Sequence, residues 1–367
     1  MADLSADIQQ QVLAARNDKQ VLNIVGGASK SFMGREAVGE RLDVSGHSGI
    51  VNYQPVELVL TARAGTQLTE IEAALAQNNQ MLAFEPPRFS GVATIGGTLA
   101  CNQSGPGRPW TGSVRDHVLG VRLINGLGEH LRFGGQVMKN VAGYDVSRLQ
   151  AGAMGSLGVI TEISLKVLPK PAARCTIVWD MGAQDAINFM NQLAARPKPL
   201  SAACWLQGRL YVRLSGAFSA VEATVKEWKG IELEHRHADE FWRQLGQQEL
   251  SFFEISSSVR QGSSIGNVDM PLWRFSVNSA ASIPSLDEHC IIDWGGSQRW
   301  LRGEQDKLHM ESLAASAGGQ VCLYAGGDRR SEVMHTTPAV LQIIQKRIKA
   351  SFDPDGIFNP GRLYNWM

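Results

Sequence analysis

Glycine is the residue whose placement in this chain points to chemistry. In residues 139–169, KNVAGYDVSRLQAGAMGSLGVITEISLKVLP, four glycines (Gly143, Gly152, Gly155 and Gly158) precede an apolar run that alternates like a strand. Glycine has no Cβ, so backbone rich in it approaches a ligand closely. A loop of this kind feeding a strand suits the cradle of a large cofactor. Two further segments carry the same signature. Gly26-Gly27-Ala28-Ser29-Lys30-Ser31 follows a short apolar run and adds hydroxyls and a cation, and Thr94-Ile95-Gly96-Gly97-Thr98 adds a bend of small residues. Consecutive backbone N–H groups in such turns form anion-binding concavities of the kind a pyrophosphate needs. Taken singly, each loop reads more readily as a plain turn than as a ligand site. Their recurrence in one half of the chain favours a phosphate-bearing ligand.

Other ligand classes lack their motifs. No G-x-G-x-x-G follows a strand, no G-x-x-x-x-G-K-[ST] is present, and H-E-x-x-H is absent, which excludes the dinucleotide fingerprint, the P-loop and the zincin helix. The five cysteines (Cys101, Cys175, Cys204, Cys290, Cys322) are far apart and form no C-x-x-C pair. That spacing offers neither a disulfide framework nor an iron–sulfur or zinc site, and it fits a reducing cytoplasm. Lys+Arg and Asp+Glu both total 35, so no basic field draws nucleic acid. The first residues lack the basic and apolar regions of a signal peptide, and no apolar run approaches the ~18 residues of a membrane span.

The elements that must hold the glycine loops are legible in outline. At 367 residues with 44% hydrophobic content, two domains are expected. Residues 7–18 read as a helix, 21–25 as a buried strand and 57–65 as another. Thr66 is placed to cap the next helix, whose Leu68, Ile71 and Leu75 share a face and which Asn78-Asn79 stops. Residues 118–126 and 129–135 have hairpin character. In 158–169, Ile163, Leu165 and Val167 alternate with Glu162, Ser164 and Lys166. Pro169 and Pro171 then mark a domain boundary. Beyond Arg174, strands and short helices alternate with tight hairpins, which predicts an antiparallel sheet with helices on one face. The last helix is expected to have Thr337 as N-cap, Pro338 at its first position and Val340, Ile344 and Ile348 on one face.

Read together, GGASKS, TIGGTLACNQSG, GSVRDHVLGVRLINGLGE, the 139–169 segment and FDPDGIFNPG resemble the vanillyl-alcohol oxidase type of FAD-binding domain. Within it they are most similar to the FAD-binding subunits of bacterial glycolate dehydrogenase, also called glycolate oxidase. The likeness is dense in residues 20–171, weaker in the middle of the second half, and clear again at the C-terminus. It implies an α+β fold: a two-subdomain FAD-binding domain (1–171), an antiparallel-sheet α+β cap domain (172–336), and a C-terminal helix and tail (337–367) packing back on the FAD domain. It also implies noncovalent FAD. Gly26, Gly27, Ala28, Ser29 and Ser31 match the first pyrophosphate loop. Thr94, Ile95, Gly96, Gly97, Ala100, Asn102 and Gly105 match the second. Gly112, Ser113 and Asp116 match the segment near the flavin and ribityl chain. Gly158, Val159 and Ile160 match a strand start whose backbone meets either the isoalloxazine or the adenine side.

The chain departs from the family in places. Many relatives carry an arginine before the first glycines and a threonine after them, where this chain has Ile24-Val25 and Ala28-Ser29. Gly46-His47-Ser48 is like the flavin-linking triplet of covalent relatives, but it follows a loop already filled at 26–31. His47 therefore reads as a surface or structural histidine, and Cys101 as a small buried residue. Relatives that oxidise D-2-hydroxy acids carry a histidine-rich metal site. Here the matching region, from Tyr324 to Arg329 with His335 nearby, offers none, and no catalytic base stands out. His235 and His237 read as a solvated helical face. Arg88, Arg108 and Arg299 are candidate carboxylate anchors, each equally readable as structural, while Trp294 and Trp300 read as core.

The resemblance implies the FAD-binding subunit of a multi-subunit complex that oxidises glycolate, a small hydroxy acid, to glyoxylate. A larger FAD-containing catalytic subunit would be the place of substrate chemistry, and an iron–sulfur subunit the electron exit. The expected location is cytoplasmic, with any contact with the inner membrane peripheral and through partners. Two alternatives stand beside it: a stand-alone FAD-dependent 2-hydroxy-acid or alcohol dehydrogenase, and a flavin-free assembly scaffold.

Overall fold

The computed structural model describes residues 3–135, 145–253, 270–282 and 290–367, so Gly143 and the rest of 139–144 lie outside the described residues. In the first half the strands are β1 (Leu22–Val25), β2 (Glu40–Asp43), β3 (Ile50–Gln54), β4 (Val59–Arg63), β5 (Gln80–Met81), β6 (Val118–Ile124), β7 (His130–Gly134), β8 (Val159–Lys166) and β9 (Leu168–Pro169). β1 and β2 pair in parallel. Strands β3-β4-β8-β6-β7 form an antiparallel sheet, and β5 pairs with β9.

β8 lies at the centre of that sheet, and its sequence shows the consequence. Ile163, Leu165 and Val167 are buried as the alternation predicts, but Thr161 and Ser164 are buried too. The second face is covered, and Ser164 hydrogen-bonds to Thr61 across the sheet at 2.8 Å. The helix Leu68–Ala76 packs on the sheet through Leu68, Ile71 and Leu75, all fully buried. Each such side chain contributes about 1.5–3 kcal/mol relative to exposure.

Among the described residues the second half builds an eight-stranded antiparallel sheet from β10 (Ala173–Asp180), β11 (Leu200–Leu206), β12 (Arg209–Gly216), β13 (Ile231–Glu232), β14 (Leu272–Ser276), β15 (Cys290–Asp293), β16 (Gln298–Arg302) and β17 (Gln320–Ala325). The order is β13-β10-β12-β11-β15-β16-β14-β17. Helices Ala183–Ala194 and Phe218–Trp228 cover one face through Ile187, Met190, Val221 and Trp228. The expectation of helices on one face alone needs correction. The helix His235–Gln247 lies on the other face, where Trp242 joins Ala202, Cys204 and Trp300. β11 is apolar at both parities (Leu200, Ala202, Ala203, Cys204, Trp205), so both of its faces require cover. The same cluster includes Met33 and Met154 of the first half, which makes it the seam between the two sheets.

Two helix-start expectations also fail. Thr66 does not cap the helix after it. Its hydroxyl accepts from the Gly49 N–H at 2.8 Å and donates to the Gly49 carbonyl at 3.2 Å, tying a turn to the end of β4. The last helix runs Ala339–Phe352 behind Pro338 without a side-chain cap. Its Val340 and Ile344 are 69% and 47% exposed, and its buried side chain is Lys349. The apolar anchoring comes instead from the tail beyond it. Ile357 and Phe358 pack with Ile8, Val12 and Leu22, and Phe358 bridges to β1.

Candidate cofactor site

The parallel pair β1–β2 delivers the first glycine loop to the second. A Cβ on Gly27 would stand 1.8 Å from the Val92 carbonyl oxygen, so only glycine permits this approach. Thr94 caps the short helix Ile95–Ala100, its Oγ1 accepting from the Gly97 N–H at 3.2 Å. Gly97 differs from Gly27. A Cβ there would find Thr94 Oγ1 at 3.3 Å and Lys30 Nζ at 3.8 Å, with no backbone in the way.

Between these loops lies an open cleft, with about 930 Å³ of atom-free space counted out to the solvent. Of the residues matched by sequence, Gly26, Gly27, Ala28, Ser29, Ser31, Thr94, Gly96, Gly97, Ala100, Gly158 and Ile160 line it. Ile95 and Val159 are fully buried in the core behind it. Asn102 follows the lining residue Cys101, with its Oδ1 buried and without a hydrogen-bond partner. Gly105 packs against Glu85, away from the cleft. Gly112, Ser113 and Asp116 form a separate turn closed by a reciprocal cap, in which the Ser113 N–H and hydroxyl both donate to Asp116 at 2.8 Å.

Charge distinguishes the cleft further. Lys30 is 7% exposed, and its ammonium touches Ser29 Oγ at 3.1 Å and the face of Phe89 at 5.3 Å. Among the described residues no carboxylate pairs with it, and burial pushes its pKa down, opposed weakly by Cys101. Arg362 brings a second cation to the wall, donating to Ser31 O at 2.9 Å and to Arg35 O. Asn359 ties the tail to the loops, accepting from Ile24 N–H at 2.8 Å and donating to Met154 O at 2.6 Å. Asn359, Arg362 and Met154 were not identified from sequence, and Cys101 beside the second loop read only as a small buried residue. The tail residues lie more than 300 positions from the first loop, and their local sign was the FDPDGIFNPG segment, which ends one residue before Arg362.

The remaining candidates lie elsewhere. His47 is 1% exposed and accepts from Leu4 N–H at 2.9 Å, so it is structural. Arg88 pairs with Glu72 at 2.9 Å, Arg108 lies over the Trp294 ring at 4.4 Å, and Arg299 is buried against the Gly296 and Ala281 carbonyls. Trp294 and Trp300 are buried, and His237 is exposed at the start of its helix. Among the described residues no group of three or more His, Cys, Asp or Glu side chains is placed to hold a metal ion, and no helix is long and apolar enough to cross a membrane.

Comparison with known proteins agrees with this geometry. Residues 2–134 match the family described as FAD binding domain. The chain is 44% identical over 362 residues to the glycolate oxidase subunit GlcE of Escherichia coli (strain K12), covering 99% of this chain and 98% of that one. It is 25% identical over 361 residues to the glycolate oxidase subunit GlcD of Bacillus subtilis (strain 168), covering 83% and 75%. An alkyldihydroxyacetonephosphate synthase structure superposes with a TM-score of 0.62 at 14% identity, over 97% of this chain and 75% of that chain, a likeness of fold alone. The chain belongs to the family of FAD-binding glycolate oxidase subunits, FAD-dependent oxidoreductases that act on hydroxy acids.

Proposed function

We propose that the glycine-walled cleft holds FAD noncovalently and that the chain serves in a complex oxidising glycolate to glyoxylate. The observation that carries this reading is Lys30. A buried ammonium without an anion is costly, by roughly 3–5 kcal/mol when a pair is broken, and a diphosphate supplies the missing charge. Backbone of Gly26–Ser31 and Thr94–Gly97 would meet the phosphates together with Lys30. Ala100, Cys101, Gly158 and Ile160 would wall the rest, with Ile95 and Val159 as their backing. Asn102 would continue the second loop toward the flavin end, while Gly105 and the Gly112–Ser113–Asp116 turn stand away from the cleft. When bound, FAD supplies the two-electron acceptor for a CH–OH group. The chain's own part is to hold and orient the flavin.

A noncovalent link follows from the two residues that could tether. His47 faces Leu4, and burial pushes the Cys101 thiol up, away from the nucleophilic thiolate. A larger flavoprotein subunit and an iron–sulfur subunit are the partners this reading calls for, the latter because the five cysteines of this chain form no cluster spacing. The test is the flavin content of the purified chain. It should be yellow and release FAD on denaturation, with Lys30→Met binding FAD at least ~10-fold more weakly. A folded, colourless chain that takes up no FAD would overturn the reading.

A further inference from the structure

The last helix, Ala339–Phe352, turns a continuous apolar face outward. Leu341 and Ile343 are 47% and 52% exposed, beside Val340 and Ile344 on the same two turns. Among the described residues no other helix exposes more than one large apolar side chain. Val340, Ile344 and Arg347 follow one another at helical spacing, so the apolar stripe runs directly into an exposed cation. Lys346 borders the stripe and lies over the Trp366 ring at 5.4 Å, and Trp366 stacks on Tyr364. Apolar residues exposed singly need no explanation, but a contiguous patch rimmed by polar groups marks an interaction site.

Position and charge identify what covers it. The opposite side of the helix is fixed to the wall of the cofactor cleft. Lys349 Nζ donates to the Ser156 carbonyl at 2.7 Å, and Gly155 and Gly158, on either side of Ser156, line the cleft. The apolar face therefore lies one helix diameter, ~10–12 Å, behind that wall. A chain docked there comes close to the cofactor without entering its site. The sequence carries no Asp or Glu between Glu332 and Asp353, while Lys346 and Arg347 are both exposed. Such a face is complementary to an apolar surface with an acidic rim. It does not suit a second copy of this chain. Antiparallel copies would set each Arg347 against the N-terminal end of the other helix, where the dipole is positive, and parallel copies would place cation against cation.

We propose that this face docks the electron-accepting subunit of the oxidase complex, through an apolar groove on that subunit bordered by carboxylates. Val340, Ile343 and Ile344 form the anchor, and Lys346 and Arg347 meet the acidic rim. The chain's kinship with oxidase subunits gives it partner chains to meet. The proposal rests on reading the cleft as a flavin site, since the nearness of that cleft is what selects an electron acceptor over a chain that only shares the complex. Lys349 holds the helix from behind, so the face is formed before the partner arrives, which lowers the ordering cost of docking.

The experiment is calorimetric titration of the full chain with the purified iron–sulfur subunit that the cofactor reading calls for. The wild type should bind it, and more weakly as salt is raised. Ile344→Glu should weaken binding at least ~10-fold, the scale of a lost interface anchor. Lys346→Gln with Arg347→Gln should slow association and flatten the salt dependence. The melting temperature and flavin content of Ile344→Glu should match the wild type, because the position is exposed. If that variant fails to fold, Val340→Ser with Ile343→Ser, which adds no charge, takes its place. No binding by the wild type, or unchanged affinity in the folded variant, would overturn the proposal. So would an effect on another occupant alone. If the variant keeps the iron–sulfur subunit but loses the larger flavoprotein subunit, dissociates a dimer of this chain, or leaves phosphatidylglycerol vesicles that the wild type binds, the face belongs to that occupant instead. Flavin content measured on the same samples separates the two readings. A yellow chain that binds no iron–sulfur subunit removes this inference alone. A chain that takes up no flavin yet binds through Ile344 keeps the docking face and removes the cofactor reading.

Discussion

Gly27 meets Val92 backbone to backbone: a Cβ on Gly27 would lie 1.8 Å from the Val92 carbonyl oxygen. Backbone cannot step aside as a flexible side chain can, so Gly27→Ala must push the two loops of the cleft apart. The expected cost is about 1–3 kcal/mol, the range for forced overpacking, together with loss of bound flavin. Gly97→Val is the informative contrast. Its Cβ would meet only Thr94 Oγ1 and the Lys30 ammonium, so the fold should survive within about 1 kcal/mol while the branched side chain occupies the cleft. Thermal melting and flavin release on both variants check the pair. Equal flavin content in Gly97→Val and wild type would show that Gly97 does not face the cofactor.

Asp293 makes stability depend on pH in a direction opposite to most carboxylates. Burial pushes its pKa from 3.8 up to about 7, against the Trp294 N–H and Gln298, which favour the charged form. Glu85 raises it further and Arg213 lowers it, while Arg274 lines the same small cavity at the seam between the two halves. The folded pKa is raised, so between about pH 4 and pH 7 the folded state holds the proton that the unfolded state releases. Stability therefore falls across that window, by on the order of 4 kcal/mol from this group. Asp293→Asn removes the dependence. The difference in denaturant midpoint between variant and wild type should shift in favour of the variant from pH 4 to pH 8, and a constant difference would contradict the assignment.

The elements of the first half were legible because their patterns are local. The Leu68, Ile71, Leu75 face and the β6–β7 hairpin each declare themselves within one short stretch of chain. The glycine loops were legible as loops, and most of their residues do line the cleft. What sequence could not reveal is pairing over long separations. Thr66 looked like a cap because hydroxyls before helices usually are, yet the Gly49 backbone reached it first. Arg274 drew no notice among many arginines, because what marks it is an Nε buried without a hydrogen bond, and that is visible only once β14, β15 and β16 are aligned. The last helix misled in the other direction, since its apolar spacing suggested a buried stripe that the fold leaves exposed.

Lys349 is the exception on that helix. Its ammonium donates to the Ser156 and Phe358 carbonyls at 2.7 and 2.8 Å and pairs with Asp353 at 2.6 Å, and Asp353 is 1% exposed. This cluster fastens the helix and the tail to the glycine-rich turn before β8. Lys349→Met should destabilise the chain by about 3–5 kcal/mol, because it leaves a buried carboxylate without its cation. The Ile357 and Phe358 N–H groups, which still donate to Asp353, hold the loss toward the lower end. By contrast Ile344→Lys, one turn earlier on the exposed side, should stay within about 0.5 kcal/mol. Urea unfolding of both variants measures the contrast, and equal losses would mean that the apolar stripe, not Lys349, holds the helix.

Lys30 sets stability against binding. Its pKa is lowered by burial, so in the flavin-free chain the folded state holds this proton less tightly than the unfolded state. Where the folded and unfolded pKa values differ, the unfolded chain binds more protons, and stability rises with pH toward the ordinary lysine range near 10.5. Below that window the buried charge is a standing cost. Lys30→Met removes the charge while keeping the length of the side chain, so the flavin-free variant should melt at a higher temperature than the flavin-free wild type at pH 7, by an amount that shrinks as pH rises. With FAD present the order should reverse, because only the wild type gains an anion for its ammonium and the stabilisation of ligand binding that follows. Melting curves of both chains, with and without FAD, at pH 7 and pH 9 test this crossing. If Lys30→Met is the less stable protein in all four conditions, Lys30 is a structural cation and the cofactor reading loses the observation that carries it.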